Sequence, residues 1–238
     1  MKREGSRFDP ETGGFLLVDK PLTWTSFDVV GKIRIAIRIA AGRKMKVGHA
    51  GTLDPLATGL LILAYGKFTK QLPHITGHDK TYAGTLTLGS VTPSYDLETE
   101  PEQHHPWEQV DETMIRTAFA QFTGEFLQRP PNFSAKRFKG ERAYWLARDE
   151  ERAHLVELPP RSVRVDRLEV TAIRGAEVDF VVDVSKGTYI RSLAHDIGQA
   201  LGCGAHLSAL RRTRIGEFNV ADSMTPEEWS ERLAQEER

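Results

Sequence analysis

The chain has 238 residues, 39% of them hydrophobic, enough for a sizeable core in one large domain or two small ones. Lys and Arg number 32 against 33 Asp and Glu, a net charge of −1, so the overall balance does not mark a nucleic-acid protein. The single cysteine, Cys203, excludes an internal disulfide and a cysteine-rich metal site and suits a reducing cytoplasm. No apolar run approaches the ~20 residues of a membrane helix, and the polar N-terminus carries no expected signal peptide.

Residues 1–13 read as a flexible arm. Phe15–Val18 is a short apolar strand. Thr25 or Ser26 caps a helix with Phe27, Val30, Ile33 and Ile37 on one face, and Gly42 suits its end. Leu60–Tyr65 is a continuous apolar run. Thr81–Leu88 alternates, with Tyr82, Gly84, Leu86 and Leu88 on one side of a half-buried strand. Val91–Pro106 reads as a polar loop. Asp111 opens a helix with Ile115, Phe119 and Phe122 on one face, closed near Gly124. The stretch 129–160 is irregular, basic and aromatic. Val163–Ile173 and Val178–Val184 read as antiparallel strands joined at Gly175. Ile190–Leu201 is amphipathic, with Ile190, Leu193, Ala194, Ile197 and Leu201 facing inward. Thr225-Pro226-Glu227-Glu228 is a capping box opening a last helix. Strands and helices mix without regular βαβ alternation, which predicts an α+β fold with a mainly antiparallel sheet.

The charges are segregated. Arg34, Arg38, Arg43, Lys44 and Lys46 form one basic group; Arg129, Lys136, Arg137, Lys139 and Arg142 a second; Arg211, Arg212 and Arg214 a third. Phosphate-binding patches and plain solvated faces both fit this pattern. Phe133, Phe138, Tyr144 and Trp145 lie among the second group, where they either stack on RNA or pack the segment on itself. His104-His105, His74 and His78 lack companions at metal-like spacing, so no metal is expected. Gly66-Lys67-Phe68 lacks the spacing of a phosphate-binding loop.

The segment Gly48–Leu61 holds one carboxylate, Asp54, among glycines and small residues, ahead of the apolar run. Gly51 and Gly59 allow tight bends and close approach. Pro55 biases Asp54 towards an extended conformation. A catalytic acid on a shaped loop and an ordinary Asp-Pro turn both fit these residues.

This segment resembles the catalytic motif of the pseudouridine synthases, in detail that of the TruB family, enzymes that isomerise uridine 55 in the T-loop of tRNA. Four more segments resemble that family in the same order. They are Gly14–Pro21 with Thr25–Val30, Lys80–Gly89, Ser185–Leu193 and Gly204–Thr213. The resemblance implies a central mixed, mainly antiparallel sheet in two half-domains with a cleft between them. It implies a catalytic domain over 14–238 with a thumb-like insertion at about 129–160. Relatives of this kind often add a C-terminal RNA-binding domain of PUA type; none is expected here.

By the same resemblance, Asp54 is the essential carboxylate and Arg191 its cationic partner. Tyr82 stacks on the flipped uracil, and Tyr189 and Leu210 wall the pocket. His49 wedges into the T-loop, and Lys20, with Pro21, buttresses the site. The isomerisation is redox-neutral, so no cofactor is expected. The implied partner is tRNA, through its T-arm. No membrane and no obligatory protein partner are expected, and the protein is expected to be a cytoplasmic monomer. A guide-dependent synthase of the dyskerin type and a tRNA-binding folding helper are the alternatives.

Overall fold

The computed structural model describes residues 8–134, 136–138, 140–149, 152, 156 and 158–235. Residues 1–7 of the expected arm and Lys139 lie outside them, as do the side chains of Arg137 and Arg142. The chain divides into two compact units, Met1–Tyr82 with Arg211–Arg238, and Ala83–Leu210.

In the first unit, β1 (Gly13–Lys20) pairs antiparallel with β3 (Ala57–Gly66), Leu16 opposite Leu63. The short β2 (Val47–His49) pairs with β3 near its end, His49 opposite Leu63. From Ala57 to Tyr65 nearly every residue of β3 is buried, because apolar side chains cover both of its faces. The first face carries α1 (Ser26–Ala40) and α6 (Pro226–Gln235). Val29, Val30, Ile33, Ile37, Trp229 and Leu233 meet Leu16, Val18, Leu61 and Leu63 there. The opposite face gathers Ala50, Leu60, Ile62 and Ile215 with Ile75 of α2 (Leu72–Thr76), which follows a 3-10 turn over Lys67–Gln71.

Local signals set these elements. Thr25 caps α1 reciprocally with Asp28: the Asp28 amide donates to the Thr25 hydroxyl at 3.1 Å, and the Thr25 amide to the Asp28 carboxylate at 2.9 Å. Gly42, at φ 64°, turns the chain out of the helix. The same reciprocal cap joins Thr225 and Glu228 at α6. Ile33 is fully buried, and its truncation to alanine costs roughly 2–5 kcal/mol. Phe27 departs from expectation: it is 69% exposed, because the buried stripe runs through Ser26, Val29, Val30, Ile33 and Ile37.

In the second unit, β4 (Lys80–Leu88) and β12 (Ala205–Ile215) enter from the first, and the strand order continues through β11 (Glu177–Val184), β10 (Arg161–Arg174) and β7 (Gly124–Gln128). The β10–β11 pair is antiparallel with Val170 opposite Phe180 and two register shifts. Beside it lie α3 (Glu112–Gln121), capped by Asp111, and α5 (Ile190–Leu201); the Phe119 ring meets Phe180 edge-on. Within 129–160, β8 (Arg137–Phe138) and β9 (Glu141–Arg142) form a hairpin leading into α4 (Ala143–Ala147). Ala143, Leu146, Val156, Leu158 and Phe138 form a small core of their own. A two-residue β13 (Phe218–Asn219) closes on β12. The result is α+β with a mainly antiparallel central sheet, as the element pattern predicts. Among the described residues, no helix is long and apolar enough to cross a membrane.

One segment differs from expectation. Val91–Pro106 is no solvated polar loop: Ser90 and Val91 (β5) pair with His104 and Gln103 (β6), and Thr92, Ser94 and Asp96 are buried. Its polar side chains bond inward. The Thr92 and Ser94 hydroxyls both donate to the Asp96 carbonyl, at 2.7 and 3.0 Å. Polar residues of this kind serve a buried turn as well as a surface one, provided every group is paired.

Candidate active site

Asp54 sits half-buried in the loop that joins β2 to β3. The loop is held by its backbone. The Ala57 amide donates to the Asp54 carbonyl at 3.0 Å, and the Thr23 amide to the Pro55 carbonyl at 2.9 Å. The buried Ser26 hydroxyl brackets Leu53, accepting from its amide at 2.8 Å and donating to its carbonyl at 3.1 Å. Gly51, at φ 101°, and Gly59, at φ 100°, adopt left-handed backbone at either side of the loop.

Two fully buried cations complete the support. The Lys20 ammonium, from the end of β1, donates to the carbonyls of Pro21 (2.8 Å), Trp24 (2.6 Å) and Pro55 (3.3 Å). Burial pushes this amine down to about 8; the charge of Asp54 opposes the fall, that of Arg212 adds to it, and that of Asp28 opposes it. Arg212, from β12, is 1% exposed and sends its guanidinium under the loop. Its Nη2 donates to the Gly51 carbonyl at 3.1 Å, Nη1 to Thr52 at 3.4 Å and Nε to Leu60 at 2.8 Å. Gly59 permits this approach, since a Cβ there would lie 2.3 Å from the Arg212 carbonyl oxygen.

His49 ends β2 just before the loop. Its Nδ1 is buried with no hydrogen-bond partner among the described residues, and burial lowers its pKa, so the ring is neutral at neutral pH. Tyr82 is buried in β4, on the inward side that the alternation of this strand predicts. Lys20, His49 and Asp54 are thus brought into one neighbourhood of the first unit, with Arg212 as a fourth member.

The remaining residues lie in the second unit or at its border. Arg191, at the start of α5, is 4% exposed. It donates to the carbonyls of Ser94 (3.0 Å) and Phe133 (2.9 Å), and its Nε lies 3.5 Å from Oδ2 of Asp96. Tyr189 caps the same helix and exchanges two hydrogen bonds with the buried Gln128, amide to Oε1 at 2.8 Å and Nε2 to carbonyl at 3.0 Å. Leu210 is half-buried in β12.

The charge groups sort unequally. Arg34, Arg38, Arg43, Lys44 and Lys46 are all exposed, although Arg43 pairs with Glu11 at 3.0 Å. In the third group, Arg212 is buried, and Arg211, partly exposed, grips the Asp19 carboxylate with both terminal nitrogens, at 3.0 and 2.6 Å. Of the aromatic residues in the insertion, Phe133 is buried and meets Tyr144 edge-on, and Phe138 joins the small core, whereas Trp145 is 62% exposed. Sequence reasoning missed Asp96, Gln128 and the burial of Arg212. The glycine pair at 51 and 59 is the signal that points towards the last.

Comparison with known proteins places these features in a family. The family model described as TruB family pseudouridylate synthase (N terminal domain) matches residues 38–190, and that of the tRNA pseudouridylate synthase B C-terminal domain matches 191–238. The tRNA pseudouridine synthase B of Flavobacterium johnsoniae is 47% identical over 214 residues, covering 89% of this chain and 92% of the relative. That of Phocaeicola vulgatus is 47% identical, covering 94% and 95%. Among solved structures, the chain resembles one in a Cbf5-Nop10-Gar1 complex with a TM-score of 0.66 and 35% identity, covering 88% of this chain and 50% of that one. It resembles another in an H/ACA RNP bound to a substrate RNA containing 2′-deoxyuridine at 0.66 and 30%, covering 96% and 60%. The chain therefore spans between half and two thirds of those solved chains. With matches that run almost end to end, the chain belongs to the TruB family of pseudouridylate synthases.

Proposed function

We propose that this protein isomerises uridine to pseudouridine in tRNA, at position 55 of the T-loop, without a guide RNA. The observation that carries this reading is the loop of Asp54. A single carboxylate is presented on a backbone pinned by two buried cations, in a chain whose relatives are named tRNA pseudouridine synthase B. The reaction breaks the C1′–N1 bond and forms a C1′–C5 bond. The C5 proton is lost and N1 gains one, so neither redox chemistry nor an energy source is required.

Asp54 supplies the carboxylate for cleavage of the glycosidic bond. The target uridine has to leave its stack to reach it. Tyr82 stacks on the extruded uracil, Tyr189 and Leu210 wall it, and His49, neutral and without a partner for Nδ1, occupies the space the base leaves. The resemblance makes Arg191 the cationic partner of Asp54, beside the contacts it makes with Asp96, Ser94 and Phe133, and Lys20 fixes the loop. The protein acts as a monomer in the cytoplasm with tRNA as its partner.

The test is tritium release from an unmodified tRNA transcript labelled at uracil C5, with the modified position mapped afterwards. Wild-type protein releases tritium at the T-loop uridine and Asp54→Asn does not, while tRNA binding persists. Release at another uridine, or from Asp54→Asn, would refute the assignment. The likeness to chains from guide-dependent assemblies favours a second reading, a guide-dependent synthase. A bare T-arm hairpin decides between the two: turnover without added RNA excludes the guide.

A further inference from the structure

We infer that Arg212 is a positioning residue for the catalytic loop and not part of the RNA-binding surface; this rests on Asp54 being the reacting carboxylate. A pair of arginines beside a third, next to an active-site segment, reads as a phosphate-binding group. The structure places Arg212 elsewhere. Its side chain is 1% exposed and inaccessible to a phosphate, and its guanidinium nitrogens donate to Gly51 and Thr52 in the loop and to Leu60 in β3.

The pattern of those bonds is specific. Gly51 and Thr52 precede Asp54 in the chain, and Leu60 follows it. One planar, rigid fork therefore ties the start of the loop to the strand that follows it and fixes how far apart they stand. Gly59 serves the same contact from the other side. A Cβ on Gly59 would collide with the Arg212 backbone, whereas at Gly51 it is the backbone, at φ 101°, that calls for glycine. Lysine reproduces this tie less well: its three donors radiate from one nitrogen, whereas the guanidinium reaches Leu60 from Nε and Gly51 and Thr52 from its terminal nitrogens. The neighbouring Arg211 is different in kind, since it reaches a carboxylate on a partly exposed edge and no loop carbonyl.

If the fork sets the position of Asp54, its loss acts on the chemical step and leaves tRNA affinity alone. Displacing a reacting group by about 1 Å costs on the order of a hundredfold in rate. The experiment compares Arg212→Lys and Arg212→Met with wild type by single-turnover tritium release at saturating protein, by filter binding of the same tRNA, and by thermal unfolding.

The expected result is a rate lower by about a hundredfold in Arg212→Met and by less in Arg212→Lys, with the dissociation constant for tRNA within about twofold of wild type. Weakened binding with an unchanged saturated rate would make Arg212 a binding residue and overturn the inference. Unchanged rate and unchanged binding would overturn it too. If both variants fail to fold, Arg212 is a residue of the core and the inference falls. Failure of the wild-type protein to act on tRNA would count against the proposed function itself, and is read before any variant is compared.

Discussion

Asp96 and Arg191 form an ion pair in which both side chains are almost fully buried, Oδ2 to Nε 3.5 Å. Arg191 also satisfies two carbonyls, and Asp96 accepts the Glu98 amide at 3.0 Å, so the pair sits inside a hydrogen-bonded network. Removing one member of a buried pair takes a counter-charge from the other, at a cost of up to roughly 3–5 kcal/mol. Asp96→Ala is expected to lose about 3 kcal/mol in urea unfolding and Asp96→Asn less. A loss under about 1 kcal/mol would mean that Asp96 is not what holds Arg191.

Lys20 predicts opposite pH trends for rate and stability. As an ammonium it serves three carbonyls, one of them Pro55 beside the catalytic aspartate. Burial brings its pKa to about 8, so the neutral amine, one donor short, takes over above that pH and the single-turnover rate declines. The folded pKa lies below the ordinary 10.5, so between about 8 and 10.5 the unfolded chain binds more protons. Through this group alone, stability rises across that window. A rate flat through pH 8 would show that the loop does not depend on the charge.

Asp196 behaves the other way round. Burial raises its carboxyl to about 6 from 3.8, so the folded protein takes up a proton that the unfolded chain does not between those values. Its ionisation therefore costs stability above about pH 6, and the cost vanishes below about 3.8. Asp196→Asn should raise the melting temperature at neutral pH and leave it unchanged in strong acid. An equal shift at both pH values would point to packing instead of charge.

The exposed cations of the first basic group remain available to phosphates. Binding of tRNA is expected to weaken as salt rises. Arg34→Glu with Arg38→Glu should lower the slope of log affinity against log salt by roughly one for each phosphate that the protein no longer neutralises. An unchanged slope would remove α1 from the RNA surface.

Much of the fold is legible in the residues. A cap at Thr25 or Ser26, the capping box at Thr225, the alternation of β4 and the stripe of α5 each declare themselves over a few residues, because backbone capping and period are local. Asp54, His49 and Lys20 are picked out by a resemblance, and the structure brings them to one place. What stays hidden is burial decided by distant chain. Arg212 looks like any member of a charge run until β3 supplies the carbonyl of Leu60, 152 positions away, that receives it. Asp96 reads as a loop residue for the same reason: its partner lies on another element. Phe27 shows the converse, an apolar residue next to the buried stripe that the helix turns outward.

The loop around Asp54 is gripped through Gly51, Thr52, Pro55 and Leu60 by their carbonyl oxygens alone. A carbonyl is common to all twenty amino acids, so at Thr52 the grip ignores the side chain, while Gly51 is fixed by its φ of 101°. In a randomised library, exposed Thr52 should accept many replacements without unmooring the aspartate, whereas the two cations that do the gripping should accept almost none. The mutational freedom of this site is thus inverted: an exposed position such as Thr52 can drift, and the invisible cations beneath the acid cannot.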